Sequence, residues 1–236
     1  MKAIFLGTYY QVLNFLRVKK ALFFSFIFPI FLYFVFIFIW GNDSSTYTKF
    51  ICTGIIAIIT ASNAIMALGR IIVQYKHDGM DKVLKTIPYA YFVQMSALVL
   101  SRIVMITCAV GLLLIFSSVI SKTVFSLEEL LTIEGGVIVG VYVFSLIGQV
   151  IAELLEDSNS EGSIFNAIFY VIIFLSDCFY PITDMNPTIA TFIQFNPITP
   201  VLHIIRGEGD WHLIIVVIIF LQFLVYIISK NMNLKR

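Results

Sequence analysis

Few residues in this chain have the type and spacing for chemistry. Two carboxylates, Asp177 and Asp210, stand at the ends of apolar segments, and Asp210 closes the tetrapeptide GEGD that begins at Gly207. Two acids sharing a proton around a water molecule would hydrolyse a peptide bond. Asp210, however, abuts Trp211, a pair that reads as an interface anchor. Arg102 lies inside an apolar run, about 15 Å from its start at the helical rise. A base at that depth is expensive. It marks a polar cavity, a carboxylate partner such as Glu134 or Glu153, or a long side chain reaching back to the headgroups. Asp177 reads as a wetted acid at a membrane surface or as a contact to a transported molecule. Cys52, Cys108 and Cys178 lack paired spacing and neighbouring histidines, so they read as small apolar residues. No G-x-x-x-x-G-K-[ST] phosphate loop occurs, so ATP is not bound by that route.

The elements that must position these residues are membrane spans. Hydrophobic residues make up 60% of the chain and charged residues 12%, with a mean hydropathy of +0.98. A soluble domain carries about 25% charged residues. Apolar runs of about 20 residues recur, the length that crosses a bilayer as a helix. The pattern predicts six spans: Ala21–Trp40, Phe50–Val73, Phe92–Ile120, Leu130–Leu154, Ile164–Tyr180 and Trp211–Ser229. Bases before the first span, and its length, argue against a cleaved signal. A net charge of +1 leaves no nucleic-acid footprint.

The basic residues orient the spans. With the N-terminus inside, the inner segments hold Lys2, Arg17, Lys19, Lys20, Arg70, Lys76, Lys82, Lys85, Lys230, Lys235 and Arg236. The outer ones hold Lys49, Lys122 and Arg206. Both termini are therefore expected in the cytoplasm. The inner loop around Glu156, Asp157 and Glu161 has no base, but acids weigh little in this rule.

Three segments are not spans. Near the N-terminus, Phe5, Tyr9, Val12, Leu13 and Leu16 share one helical arc, with Gly7, Thr8, Gln11 and Asn14 on the other side. This predicts a helix lying along the inner membrane surface. In YKHDGMDKVLKTIPYAYF, Met80, Val83, Leu84 and Ile87 are spaced i, i+3, i+4, i+7, while Asp81, Lys82 and Lys85 face away. Gly79 opens this helix and Pro88 stops it. About two turns are marginal alone, so the helix needs headgroups or another protein to pack on. The third is FYPITDMNPTIATFIQFNPITPVLHIIRGEGDW, cut by Pro181, Pro187, Pro197 and Pro200. Its pieces TIATFIQF and VLHIIR are too short to cross and too apolar for a solvated loop, which predicts short helices dipping into the outer leaflet.

HDGMDKVLKTIPYAYF and FYPITDMNPTIATFIQFNPITPVLHIIRG, in this order and spacing, resemble the permease subunit of the type 2 ABC transporter family. The likeness covers the whole chain. It implies an all-α polytopic domain over residues 1–236. An elbow helix (1–20) precedes spans one and two (21–73), and a cytoplasmic coupling segment (74–91) leads to spans three to five (92–180). An outer re-entrant segment (181–210) then leads to span six and a tail (211–236). It also implies that Gly79, Met80, Val83, Leu84, Ile87 and Pro88 engage a separate ATPase, which binds ATP and Mg. Phe179, Tyr180, Pro181, Phe195, Asn196 and Pro197 would narrow the outer end of the path, with a second permease chain completing it. The family often carries an acidic and arginine pair before the glycine, and here the residues are Lys76, His77 and Asp78. The resemblance further implies export. The nearly uncharged span interiors favour hydrophobic or amphipathic cargo such as peptides, drugs or lipids. Similar small permeases serve in antimicrobial-peptide export or immunity, and residue usage suits a bacterium with an AT-rich genome.

Polar residues inside the spans, Ser62, Asn63, Gln149 and Asn166, are expected to bond between helices, and the small residues of TGIIAIITASNAIMALG to pack closely, at a dimer seam among other places. Two other classes compete. GEGD is similar to a motif of intramembrane aspartyl proteases, but Asp177 lacks the tyrosine that usually precedes the partner acid there. A gradient-driven carrier would place several carboxylates at mid-membrane and show an inverted repeat, and neither is apparent.

Overall fold

A computed structural model describes residues 2–40, 45–155, 161–182, 190, 191, 193–209 and 211–234. Among these, every regular element is helical. Helix α1 is Lys2–Arg17. Val18 then breaks the helix with extended backbone, and α2 (Lys19–Leu22), a π-helical turn (Phe23–Ile27) and α3 (Phe28–Trp40) continue one another as one apolar rod. Next come α4 (Ser45–His77), α5 (Met80–Thr86), α6 (Ala90–Ser121), α7 (Leu127–Leu154) and α8 (Glu161–Phe174). Two more follow, α9 (Ile198–Ile205) and α10 (Trp211–Leu234).

Among the described residues, five helices are long and apolar enough to cross a membrane: Lys19–Ile39, α4, α6, α7 and Trp211–Ile228. The expected fifth of six spans is shorter than the sequence suggests. Helix α8 has 14 residues, about 21 Å of rise against a hydrocarbon layer of about 30 Å. Its end has a local cause. The Asn196 side-chain amide donates to the carbonyls of Ile172 and Leu175, and the Ser176 hydroxyl donates to that of Ile173. These bonds hold the turn that ends α8, and α8 does not run on to Tyr180.

Helix α4 is the buried axis. Ile51, Ile55, Ile56, Ala61, Ala64 and Ile65 have no exposed surface. Glycines let neighbouring backbones touch it, as in other tightly packed membrane helices. A Cβ on Gly54 would meet the Cys178 carbonyl oxygen at 1.9 Å, and one on Gly148 of α7 would meet the Ile65 carbonyl oxygen at 2.7 Å. A Cβ on Gly136 would collide with Ile205, and one on Gly140 would press on Val201 and Thr60, which seats α9 between α7 and α4. The small residues of α4 are therefore used inside the chain, against α7, α8 and the turn at Cys178, rather than kept free for a dimer seam.

Two of the four polar residues, Asn63 and Gln149, bond between helices, and Tyr33 does the same. Ser25 donates to Asn63 at 2.6 Å, Gln149 donates to Tyr91 at 3.3 Å, and Tyr33 joins Ser117 and Ser121 of α6. Ser62 instead bonds the Ile59 carbonyl of its own helix.

Helix α1 packs differently from its helical wheel. Gly7 lies against Ala97, Thr8 and Phe15 are buried, and Phe5, Tyr9 and Leu16 are exposed. The small Gly7–Thr8 face is the one that lets α1 approach α6, and Phe5, Tyr9 and Leu16 of the apolar arc are left outward while Val12 and Leu13 are half-buried.

Gly54→Ala should lower stability by about 2 kcal/mol or more, because a backbone carbonyl cannot step aside. Gly162→Ala, whose Cβ would meet nothing within 4 Å, should be neutral or stabilising by about 0.5–1 kcal/mol. Thermal unfolding of the two purified variants beside the wild type checks both.

Candidate functional site

The segment joining α4 to α6 is built by three backbone choices. Gly79 has a φ of +71° with open space where its Cβ would stand, so glycine is needed there for conformation and not for room. Helix α5 follows for seven residues, and Ile87 is extended, as the residue before a proline must be. Tyr89 reverses the chain into α6 from a left-handed conformation at φ 63°.

The face of α5 that meets the rest of the chain is the polar one. Asp81 is only 6% exposed, whereas Val83 is 59% exposed and Met80 and Ile87 are about as open, at 49% and 54%. Leu84 is half-buried and Pro88 is exposed. Of the expected apolar row, Met80, Val83 and Ile87 point away from the protein, whereas Leu84 is half-buried and Ile87 lies just past the helix end. The expectation that Asp81 faces outward with Lys82 is corrected. Spacing fixes which residues share a side, not which side is inward, and α5 turns Asp81 toward the bundle.

Beneath α5 lies a polar hub that periodicity alone does not reveal. Lys76, at the end of α4, donates to the carbonyls of Ala152, Glu153 and Leu155 at 2.9, 3.1 and 3.1 Å. Its ammonium thus caps the C-terminus of α7, where the carbonyls lack helical partners and the helix dipole is negative. The Glu153 carboxylate is 3.8 Å from the same nitrogen. Gln94 of α6 donates to Tyr75 of α4 at 2.7 Å, and Tyr91 of α6 takes the bond from Gln149 of α7. Three long helices are tied together where α5 hangs. The one available signal was Lys76 itself, standing where the resembled family often has an acidic and arginine pair.

At the opposite end, Arg206 closes α9 onto α4. Its guanidinium sits 4.0 Å from the Phe50 ring centroid, with Nη2 donating to the Asp177 carbonyl at 2.9 Å and Nε reaching Thr53 at 3.3 Å. Burial pulls its pKa below the ordinary value, and Cys178, Asp177 and Glu208 act in the opposite direction. Arginine remains charged regardless. Asp177 is buried beside this cation, which corrects its reading as a wetted surface acid. Phe179 stacks on Phe36 with centroids 4.9 Å apart, while Tyr180, Pro181 and Phe195 are exposed. Asn196 ties α8 to α9, accepting from the Ile198 N–H while its amide holds α8, and Pro197 is the residue before α9. Of the predicted outer residues, Phe179 and Asn196 are tied into the bundle, each through its own partners, while Tyr180, Pro181 and Phe195 stand open. Thr188, Ile189 and Phe192 of TIATFIQF, and Asp210, lie outside the described residues.

Arg102 pairs with neither expected carboxylate. Glu153 is held near Lys76, and Glu134 accepts from Thr107. The guanidinium lies 4.9 Å from the Phe15 ring of α1 and is 6% exposed. It is a clasp between α1 and α6, a cation over an aromatic face. None of the three sequence readings anticipated it.

Lys76→Met should cost about 1–2 kcal/mol and speed amide exchange in the last turn of α7, because three carbonyls lose their donor. Glu153→Gln should have the smaller effect, since Lys76 is nearer the carbonyls. Hydrogen exchange across residues 150–155 distinguishes the two.

A model of the ABC-2 type transporter family matches residues 2–208. None of the curated proteins matches the chain. With a match that runs from α1 through α9 and several helices of membrane-crossing length, this chain belongs to the ABC-2 type transporters and is a multi-pass permease of that family.

Proposed function

We propose that the chain is the membrane half of an ATP-driven exporter and that α5 is the coupling helix on which a separate ATPase docks. The observation that carries this reading is the exposure of Met80 and Val83 on a seven-residue helix, and of Ile87 just past its end, with Asp81 buried on the other side. Such a helix has no use for its apolar edge within the chain, and an apolar edge set on a rigid polar hub can transmit force. Because Lys76 caps α7, motion at α5 would reach α7 as well as α4 and α6.

In this reading α1 is the elbow helix, and α8 with its turn to Tyr180 makes the sixth crossing, running along α4 from Gly69 at Phe165 to Gly54 at Cys178. Helix α9 is the re-entrant cap. Both termini and α5 lie in the cytoplasm of a bacterial cell. The ATPase supplies the ATP and Mg chemistry, and a second permease chain, identical or paralogous, completes the path. The cargo is hydrophobic or amphipathic, in the class of peptides, drugs or lipids, and moves outward. No observation on the described residues favours an aspartyl protease or a gradient-driven carrier.

Val83→Asp tests the docking role cleanly, because an exposed side chain can change without touching the fold. The variant should insert and melt like wild type yet lose co-purification with its ATPase by about ten-fold or more, the effect of one buried charge at an apolar contact. Undiminished co-purification would remove α5 from the interface.

A further inference from the structure

One carboxylate in the spans is left without a cation. Glu134 stands two turns into α7, half-buried, and accepts a hydrogen bond of 2.5 Å from the Thr107 hydroxyl of α6. Thr107 lies near the midpoint of α6 (Ala90–Ser121), so the acid is drawn to membrane depth and away from the rim. Among the described residues no basic group lies within ion-pair distance of it. One hydrogen bond fills one of about four acceptor sites on an ionised carboxylate, and an ionisable group at this depth is costly unless something pairs with it.

The surroundings are open and apolar. On α7, Leu131 and Ile138 flank Glu134 one turn away on each side, and both are exposed. On α6, Gly111 and Ile115 follow Thr107 at helical spacing, and Ile115 is exposed. A Cβ on Gly111 or on Gly135 would meet nothing within 4 Å. The acid therefore sits among exposed apolar residues, with no side chain packed over the two glycines.

The described bases of the chain are held by other groups or lie away from this depth. Lys49 is paired with Glu129, Arg206 is committed to Thr53 and the Asp177 carbonyl, and Arg102 is buried under Phe15. Lys122 caps the far end of α6. Of the other described bases, Arg70 and Lys76 lie toward the end of α4 and Lys230 toward the end of α10, and the rest are on α1, α2 and α5. We infer that Glu134, held by Thr107, is a cargo-recognition site that selects cationic amphiphiles, an ammonium or guanidinium group carried on an apolar body. This rests on the permease reading and narrows its cargo class.

The test compares one apolar tail with and without a charge. The full-length chain in nanodiscs is titrated with octylammonium and with octanol, and binding is read from the shift in thermal unfolding. No ATPase is needed, so this result is independent of whether α5 docks one. Wild type should prefer octylammonium by about ten-fold, the worth of about 1.4 kcal/mol from one partly desolvated charge pair. In Glu134→Gln the preference should fall to about one, with octanol binding unchanged. Should that variant fail to fold, Thr107→Val carries the test, with an expected loss of about three-fold or more as the carboxylate loses its tether. An equal preference in wild type and variant, or none in wild type, overturns the assignment.

Discussion

The backbone of α4 must be touched directly by its neighbours, and the rest of the structure depends on that closeness. In a bilayer there is little hydrophobic gain from pressing helix on helix, so contact has to come from dispersion between surfaces that fit. Gly54, Gly140 and Gly148 allow it by removing the side chains that would hold α4 away from the Cys178 turn, α9 and α7. With α4 fixed along its length, its last turn is fixed too, and Lys76 is delivered to the end of α7. The helix α5 then hangs from a rigid corner.

The two ends of the molecule use the same device for opposite purposes. At the α5 end a cation on α4 satisfies the carbonyls that end α7. At the other end Asn196 and Arg206 satisfy the carbonyls of α8 and of the turn at Asp177. In each case a side chain from another element ends or extends a helix, and buried backbone groups are rarely left without partners. The first arrangement leaves an apolar edge exposed, and the second draws a proline-rich segment into the bundle.

Much of this was legible in residue order. Apolar runs fixed the long helices within a few residues, Gly79 and Pro88 bounded α5, and the basic asymmetry set an orientation to test. What remained hidden depended on residues far apart in the chain. Arg102 meets Phe15, 87 positions away, so its partner was not among those nearby carboxylates worth considering. Asn196 ends α8 from about twenty residues downstream, which is why an apolar run long enough to suggest a span became a short helix. The inward turn of Asp81 was hidden for a different reason, since a helical wheel is indifferent to which edge faces the protein. Lys76 was hidden because its partners are backbone carbonyls, which no side-chain pattern reports.

The account stands on the placement of α5 at the cytoplasmic surface with its apolar edge free. An exposed cysteine at Val83→Cys, in a Cys108→Ser background that leaves only the buried Cys52 and Cys178, reports this through a membrane-impermeant maleimide. Labelling should occur only after the cells are opened, and co-expression of the ATPase should then suppress it. Labelling of intact cells would put α5 outside and contradict the account.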